Sequence, residues 1–240
     1  MNSYRKTAIF VGIFFLAGYV ILLPGGFLVD PILDAPDYLI NVSAHIPRVI
    51  IGMFLEFINT AAVVGIAVLM FPMLKEQNEV LALGYAGSRI VESAILLVGH
   101  IFLLLLIALS QEYVKAGDSD TSYFQTVGTL CIAERGLTFR MVMIVVSLGA
   151  LMFYYLLYQS KLIPRFISVW GLIGAPLSLA GGVIAIFGYR ARVSMPTPTM
   201  ILGLPIMLNE ILLGIWLIVK GFNPSAITFD SAKKDINEIK

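Results

Sequence analysis

The sequence has few of the residues on which soluble enzymes usually depend. Its 240 residues include one cysteine, Cys131, and two histidines, and only 13% of them are charged. A single cysteine excludes a disulfide within the chain, and there is no HExxH string, no Gly-rich phosphate loop and no GxSxG string. A zinc site would have to be assembled from scattered Glu and His side chains. The sequence therefore predicts no catalytic residue, no metal and no cofactor, and whether the protein is an enzyme stays open.

Net charge is also small, whereas apolar residues dominate. A formal net charge of +1 argues against a nucleic-acid partner. Hydrophobic residues make up 59% of the chain and the mean hydropathy is +0.92, values outside the range of ordinary soluble domains. A helix needs roughly 20 mostly apolar residues to cross a bilayer. Six stretches meet this requirement: residues 7–29, 48–74, 81–110, 137–158, 166–189 and 199–220.

These stretches predict an all-α fold, an integral membrane bundle of six transmembrane helices. Residues 1–224 are expected to form one domain and residues 225–240 a polar cytoplasmic tail. The first stretch lacks a small-x-small cleavage pattern at its end, so we interpret it as an uncleaved helix. Basic residues are enriched on the side of the N-terminus, which predicts that both termini are cytoplasmic. That side holds Arg5, Lys6, Lys75, Lys161, Arg165, Lys220, Lys233, Lys234 and Lys240. The opposite side is more acidic but also holds Arg48, Lys115, Arg135, Arg190 and Arg192.

The connections between the spans differ in length. Tight turns at "KEQNE" and "QSKLIPR" predict that spans two and three, and spans four and five, are antiparallel neighbours. The first outer loop is expected to hold one short helix that begins near Pro36. The long connection, residues 111–136, is polar and then mixed, which favours a short amphipathic helix on the outer surface, either as a plain surface helix or as a lid.

Several polar side chains interrupt the spans. In the third span Tyr85, Arg89, Glu92 and His100 share one side of the helix, and the spacing of Arg89 and Glu92 permits an ion pair within the helix. The second span carries Glu56 and Asn59 on a stripe of small and polar residues. In the sixth, Asn209 and Glu210 are adjacent. Small residues allow close helix contacts, across which polar side chains then find partners.

The depths of these side chains predict that the charges converge. Glu56, Glu92 and Glu210 fall within about two helical turns of one another, and together they share Arg89. Desolvation and like-charge repulsion both disfavour ionisation, so at least one carboxyl should carry a proton unless a cation is bound. Arg140 is expected to snorkel to the outer interface. The alternative interpretation is that the buried pairs only hold helices in register.

Four long strings resemble a known family: "LDAPDYL", "NEVLALGYAGSRIVESAILLVG", "FYYLLYQSKLIPRFISVWGLIGAPL" and "LPIMLNEILLGIWLIVKGFNP". The family consists of bacterial multi-pass membrane proteins and is catalogued as domain of unknown function four-three-eight-six. The resemblance covers nearly the whole chain and implies a bacterial plasma-membrane protein with about six spans, but no activity. It also implies that Arg89, Glu92 and Glu210 belong to recurrent motifs, whereas it implies no role for His100 or Cys131.

The favoured hypothesis is a non-enzymatic membrane protein with a polar cavity formed by spans two, three and six. The cavity would bind or move a proton, a cation or a small amphiphile, with Glu92 and Glu210 as the titrating pair. One alternative is a membrane-embedded lipid-modifying enzyme that uses His100 and the glutamates. Another is a structural, immunity or stress-related membrane partner without a ligand. Membrane lipids are the expected partners in each case, and no oligomeric state is predicted.

Overall fold

The predicted all-α membrane bundle is confirmed. The structure, a computed structural model, describes residues 3–117, 121–187 and 197–226, and in these ranges it contains helices and no strand. Six of the helices are long and apolar enough to cross a membrane, and the seventh, α2, is short. The helices are α1 Ser3–Leu33, α2 Tyr38–Ala44, α3 Ile46–Leu74, α4 Glu79–Ala116, α5 Thr121–Ser160, α6 Arg165–Phe187 and α7 Thr197–Val219.

The six long helices form a closed ring. Each packs against its neighbours in the order α1, α3, α4, α5, α6, α7 and back to α1, while α2 lies mainly against α4. The predicted antiparallel pairs are therefore found in α3 with α4 and in α5 with α6. Their turns are short because helix ends are capped locally: Asn78 accepts a hydrogen bond from the backbone N–H of Leu81 at 3.0 Å, which starts α4.

Glycines place α1 between α3 and α7. A Cβ atom on Gly12 would lie 2.6 Å from the carbonyl oxygen of Gly214, and one on Gly25 would lie 3.0 Å from that of Gly52. Only glycine permits these two backbone approaches, because any larger residue would push the helices apart. As a result, α1 contributes side chains to the interior of the bundle, although the sequence alone had assigned the polar cavity to α3, α4 and α7.

The long connection at residues 111–136 is helical in residues 111–116 and 121–136. Helix α4 continues to Ala116 and α5 already begins at Thr121, so the predicted separate amphipathic helix is wrong. The polar residues here are compatible with a helix. A prediction based on hydropathy alone ends the helix at the first polar residues, although the helix itself continues. The apolar side of these extensions packs on α2, where the Tyr38 hydroxyl donates to the carbonyl oxygen of Gln125 at 3.0 Å. Helix α2 itself confirms the short helix expected near Pro36.

Both ends of the described chain lie on one side of the bundle. The Arg5 guanidinium donates to the carbonyl oxygens of Leu217 at 3.0 Å and Ile218 at 2.6 Å, so it caps the end of α7. This contact fits an even number of spans, while the cytoplasmic assignment of that side stays a prediction. Arg190, Arg192 and residues 227–240, which include most of the predicted tail, lie outside the described residues.

Candidate functional site

The buried charges form two clusters instead of the single one that the sequence predicted. We call them the Arg89 cluster, which consists of Tyr19, Arg89, Glu92 and Glu210, and the Arg135 cluster, which consists of Asp30, Glu56, His100 and Arg135. Across the described residues, no ion pair or hydrogen bond joins a member of one cluster to a member of the other. Each cluster is therefore considered by itself.

In the Arg89 cluster one guanidinium faces two carboxyl groups from different helices. Arg89 is 4% exposed, and its Nη1 donates to Oε2 of Glu92 at 2.8 Å, as the spacing in the sequence predicted. Its Nη2 lies 3.6 Å from Oε1 of Glu210 on α7. The hydroxyl of Tyr19 on α1 donates to the other Glu210 oxygen at 2.6 Å. If both carboxyls were ionised, this cluster would carry a net charge of minus one.

An aromatic stack fixes the position of Arg89. The guanidinium lies 5.5 Å from the ring centre of Tyr85, and Nε donates to the Tyr85 hydroxyl at 3.4 Å. Tyr85 in turn stacks on Phe153 of α5 with ring centres 4.6 Å apart. A cation held against an aromatic face gains about 0.5–2 kcal/mol, which adds to its pairing with the carboxylates. Tyr85, a weaker candidate from the sequence, thus orients Arg89 and does not line the cavity.

A cavity of about 160 Å³ adjoins the Arg89 cluster. Its polar wall consists of Tyr19, Asn59, Arg89, Glu92 and Glu210, and its apolar wall comes mainly from α1 and α3. Among the lining residues Tyr19 and Asn59 are half-buried, so the cavity reaches the surface of the bundle. Two aromatic rings, Phe14 and Phe15, also line it. The arrangement offers an acidic, partly aromatic site of small volume.

The Arg135 cluster is a salt-bridge network in which Glu56, His100 and Arg135 are buried, whereas the Asp30 side chain is 39% exposed. The guanidinium of Arg135 donates to both oxygens of Glu56, at 3.1 Å and 2.6 Å, and to Oδ1 of Asp30, at 3.1 Å and 2.9 Å. Nε2 of His100 lies 3.6 Å from Oε2 of Glu56. This network ties α1, α3, α4 and α5 together. Because Arg135 occupies the space between the carboxylates, the cluster is filled by its own side chains.

The predicted meeting of Glu56 with Arg89 is therefore wrong. The hydroxyl of Ser93, the residue after Glu92, donates to the carbonyl oxygen of Thr60 at 2.8 Å, which aligns α4 with α3 at that level. Thr60 lies four residues beyond Glu56, or roughly 6 Å along the helix axis. Glu56 is thus about one turn from Glu92 in depth, beside Arg135, and His100 belongs with it.

The remaining sequence candidates lie apart from the cavity or only at its edge. Asn59 lines it, whereas Asn209 is fully buried and faces Tyr154 of α5. Arg140 does not snorkel: it is 2% exposed and its Nη1 donates to the carbonyl oxygen of Gly136 at 2.5 Å.

Sequence reasoning missed three residues: Tyr19, Asp30 and Arg135. The first span was interpreted only as an uncleaved helix, although its glycines permit close helix contacts around Tyr19. Arg135 was assigned to a loop because it precedes the apolar run at residue 137, and Asp30 because it follows the one at residue 29. A helical register extended by one turn at each of these ends would have brought both charges into the bundle.

No metal centre is formed by these clusters. Within the three described ranges, no group of three or more His, Cys, Asp or Glu side chains is positioned to hold a metal ion. In the Arg135 cluster the guanidinium, not an ion, lies between the carboxylates. The histidine-based zinc alternative considered from the sequence thus gains no support from the geometry around His100.

Comparison with known proteins agrees with the fold. A family model described as Domain of unknown function (DUF4386) matches residues 10–221. The chain belongs to this family. The match spans all six long helices, both charge clusters and the cavity, so the DUF4386 membership and the resemblance of the four strings are consistent. No curated protein and no solved structure matches the chain significantly. The family has no described function, while the six long apolar helices identify a multi-pass helical membrane protein. Function therefore has to be argued from the clusters.

Proposed function

We propose that the protein binds a small organic ammonium ion in the cavity beside the Arg89 cluster, in exchange for a proton held by Glu92 and Glu210. The observation that carries this proposal is the sharing of one buried guanidinium by two carboxyl groups at the wall of a cavity. When Glu92 and Glu210 are both ionised, Arg89 compensates only one of their two negative charges. In a low-dielectric interior this charge needs either a proton or a cation.

The geometry favours Glu210 as the exchanging carboxyl. Arg89 hydrogen-bonds Glu92 at 2.8 Å but lies 3.6 Å from Glu210, so Glu92 takes the larger share of the positive charge. The Tyr19 hydroxyl donates to one Glu210 oxygen, the other faces Arg89 at 3.6 Å, and Glu210 lines the cavity. A proton on Glu210 and a cation in the cavity would then neutralise the same charge and exclude each other.

The lining favours an organic ammonium ion over an inorganic one. The rings of Phe14, Phe15 and Tyr19 line the cavity together with the carboxylates, and aromatic faces attract ammonium groups. An engineered cavity of about 150 Å³ holds benzene. A volume of about 160 Å³ therefore suits an ion of similar size, such as tetramethylammonium.

The proposed setting is the bacterial plasma membrane with both termini in the cytoplasm. The described part of the N-terminal side carries Arg5, Lys6, Lys75, Lys161, Arg165 and Lys220, as the positive-inside rule requires of a cytoplasmic side. The family resemblance supports the bacterial assignment. In this orientation Glu210 and the cavity lie within the membrane-spanning part of the bundle. An ion or amphiphile must therefore enter the cavity to exchange with the proton on Glu210.

Tetramethylammonium titration of the purified protein in lipid nanodiscs tests the proposal. We expect binding of one ion with release of about one proton, measured by calorimetry in buffers of different ionisation enthalpy. Affinity should fall as the pH is lowered, because the proton and the ion compete for one negative charge. Glu210→Gln and Glu92→Gln should each abolish the proton release while the protein stays folded.

The matched control is Glu112→Gln, which changes an exposed carboxyl paired only with Lys115. It should behave as the unaltered protein. Binding without proton release, or proton release that persists in Glu210→Gln, would contradict the exchange. Absence of binding at any pH would contradict the proposed ligand class.

A steric variant tests the cavity without altering any charge. Gly18 lines the cavity, and a Cβ atom there would lie 2.9 Å from Oδ1 of Asn59. Gly18→Leu should therefore occupy the site and weaken tetramethylammonium binding by about tenfold or more, or about 1.4 kcal/mol. Gly87→Leu is the control, because a Cβ atom at Gly87 meets no atom within 4 Å. Equal binding by both variants would place the ligand outside this cavity.

A further inference from the structure

A second cavity, of about 560 Å³, lies at the N-terminal side of the bundle. It is formed by the turn between α5 and α6 and by the segment that follows α7. We call it the basic pocket and define it by Lys161, Arg165, Trp216, Lys220 and Asn223. It is distinct from the Arg89 cavity, since the two share no lining residue.

Hydrogen bonds between its two walls build the basic pocket. The backbone N–H of Asn223 donates to the carbonyl oxygen of Leu162 at 2.8 Å, and the Asn223 side chain donates to that of Lys161 at 3.3 Å. Arg165 is held against the ring of Tyr158, 5.3 Å from its centre. These contacts fix the relative position of the two distant chain segments that carry the three cationic side chains.

The electrostatics of the basic pocket favour an anion. Three of its lining side chains are cationic and none is a carboxylate, and within the described ranges neither Lys161 nor Lys220 forms an ion pair. The positive end of the α6 dipole points toward it. The opposing carbonyl groups at the end of α7 are already bound by Arg5, so they do not repel an anion.

The surroundings indicate a ligand that is also part of the membrane. Phe166 follows Arg165 in the chain and Val219 precedes Lys220, and they are 56% and 62% exposed, so apolar side chains on the outside of the bundle adjoin the cations. Trp216 is half-buried in the pocket wall and packs edge-on against Phe166, with ring centres 6.4 Å apart. Amphipathic indole rings prefer the interface between headgroups and acyl chains.

We propose that the basic pocket binds the phosphate-bearing headgroup of an anionic phospholipid from the leaflet at the N-terminal side of the bundle. Basic pockets between transmembrane helices are a known means of recognising such headgroups. The Lys161, Arg165 and Lys220 side chains contact the phosphate, and the acyl chains lie along Phe166 and Val219. This inference is independent of the proposed ammonium site.

The two tryptophans of the chain allow a direct test. Trp170→Phe leaves Trp216 as the reporter, in full-length protein reconstituted in vesicles. Quenching by phosphatidylglycerol with brominated acyl chains is compared with quenching by phosphatidylcholine brominated in the same way. Each basic side chain near an anionic lipid is worth about fivefold in binding, so we expect a preference for phosphatidylglycerol of about tenfold or more.

Charge variants in the Trp170→Phe background locate the site. Lys161→Gln/Arg165→Gln/Lys220→Gln should bring the preference close to one, and Lys220→Gln alone should lower it by a few-fold if the triple variant fails to fold. Lys75→Gln removes a cation from the same side but outside the pocket, and should retain the preference.

Three outcomes would overturn the proposal. The first is equal quenching of Trp216 by the two lipids, and the second is a preference that Lys220→Gln and the triple variant leave unchanged. The third is loss of the preference when inorganic phosphate is added in excess to the vesicles at constant ionic strength. That last result would assign the pocket to free phosphate instead of a lipid headgroup.

Discussion

Arg135→Met should destabilise the protein by about 3–5 kcal/mol, a large part of the stability of an ordinary domain. The reason is that Arg135 is the partner of both Asp30 and Glu56, with N–O distances of 2.9 Å and 2.6 Å. Removing the guanidinium leaves the Asp30 and Glu56 carboxyl groups close together without the positive charge that both of them contact. Nearby His100 lies 3.6 Å from Glu56 and compensates for only part of this loss.

Unfolding in detergent micelles, followed by circular dichroism, measures the effect. The matched control is Arg48→Met, because Arg48 is exposed and donates a long hydrogen bond, of 3.4 Å, to the carbonyl oxygen of Phe27. It should change the free energy of unfolding by about 1 kcal/mol or less. Equal effects of the two substitutions would show that the Arg135 network does not hold the helices together.

A compensated variant separates lost pairing from lost packing. Arg135→Met combined with Asp30→Asn and Glu56→Gln removes the buried charges together, so much of the stability should return. If the triple variant is as unstable as Arg135→Met, the damage comes from the shape of the methionine side chain. The comparison therefore tests whether electrostatics explains why four helices converge on this residue.

The Arg135 network also shows where sequence reasoning stops. The six spans and the short helix after α1 follow from hydropathy, length and capping residues, all of which are local properties. The Arg89–Glu92 pair was predictable for the same reason, since a spacing of three on one helix fixes its geometry. The partner of Glu56 was not, because it depends on which helices are neighbours in the ring and at what depth.

Two physical features account for the misplaced partners. First, hydropathy ends a span at the first polar residues, whereas α5 keeps its helical hydrogen bonds through the mixed string and reaches back to Thr121. Arg135 was thus placed in a loop. Second, the close approaches at Gly12 and Gly25 bring α1 between α3 and α7, so Tyr19 reaches Glu210. Neither feature changes the composition of a span, so neither can be predicted from hydropathy or span length.

Arg89 offers the sharpest test of whether its cluster is functional or only structural. Arg89→Met leaves Glu92 and Glu210 without their shared cation and should destabilise the protein by about 3–5 kcal/mol. Arg89→Met/Glu92→Met removes the whole ion pair and fills the space with apolar side chains. Stability should then recover largely, as it does when buried ion pairs are replaced by hydrophobic residues of similar volume.

The double variant should nevertheless bind tetramethylammonium at least about tenfold more weakly, because Glu210 without Arg89 holds its proton and no longer offers a negative charge. Calorimetry in nanodiscs measures ion binding and proton release, and unfolding in micelles measures stability, both with protein from one purification. A stable double variant that binds the ion and releases a proton as before would mean that Arg89 and Glu92 only order the bundle. A stable double variant that has lost both ion binding and proton release assigns Arg89 and Glu92 to the binding site. Its recovered stability shows that the bundle itself is intact.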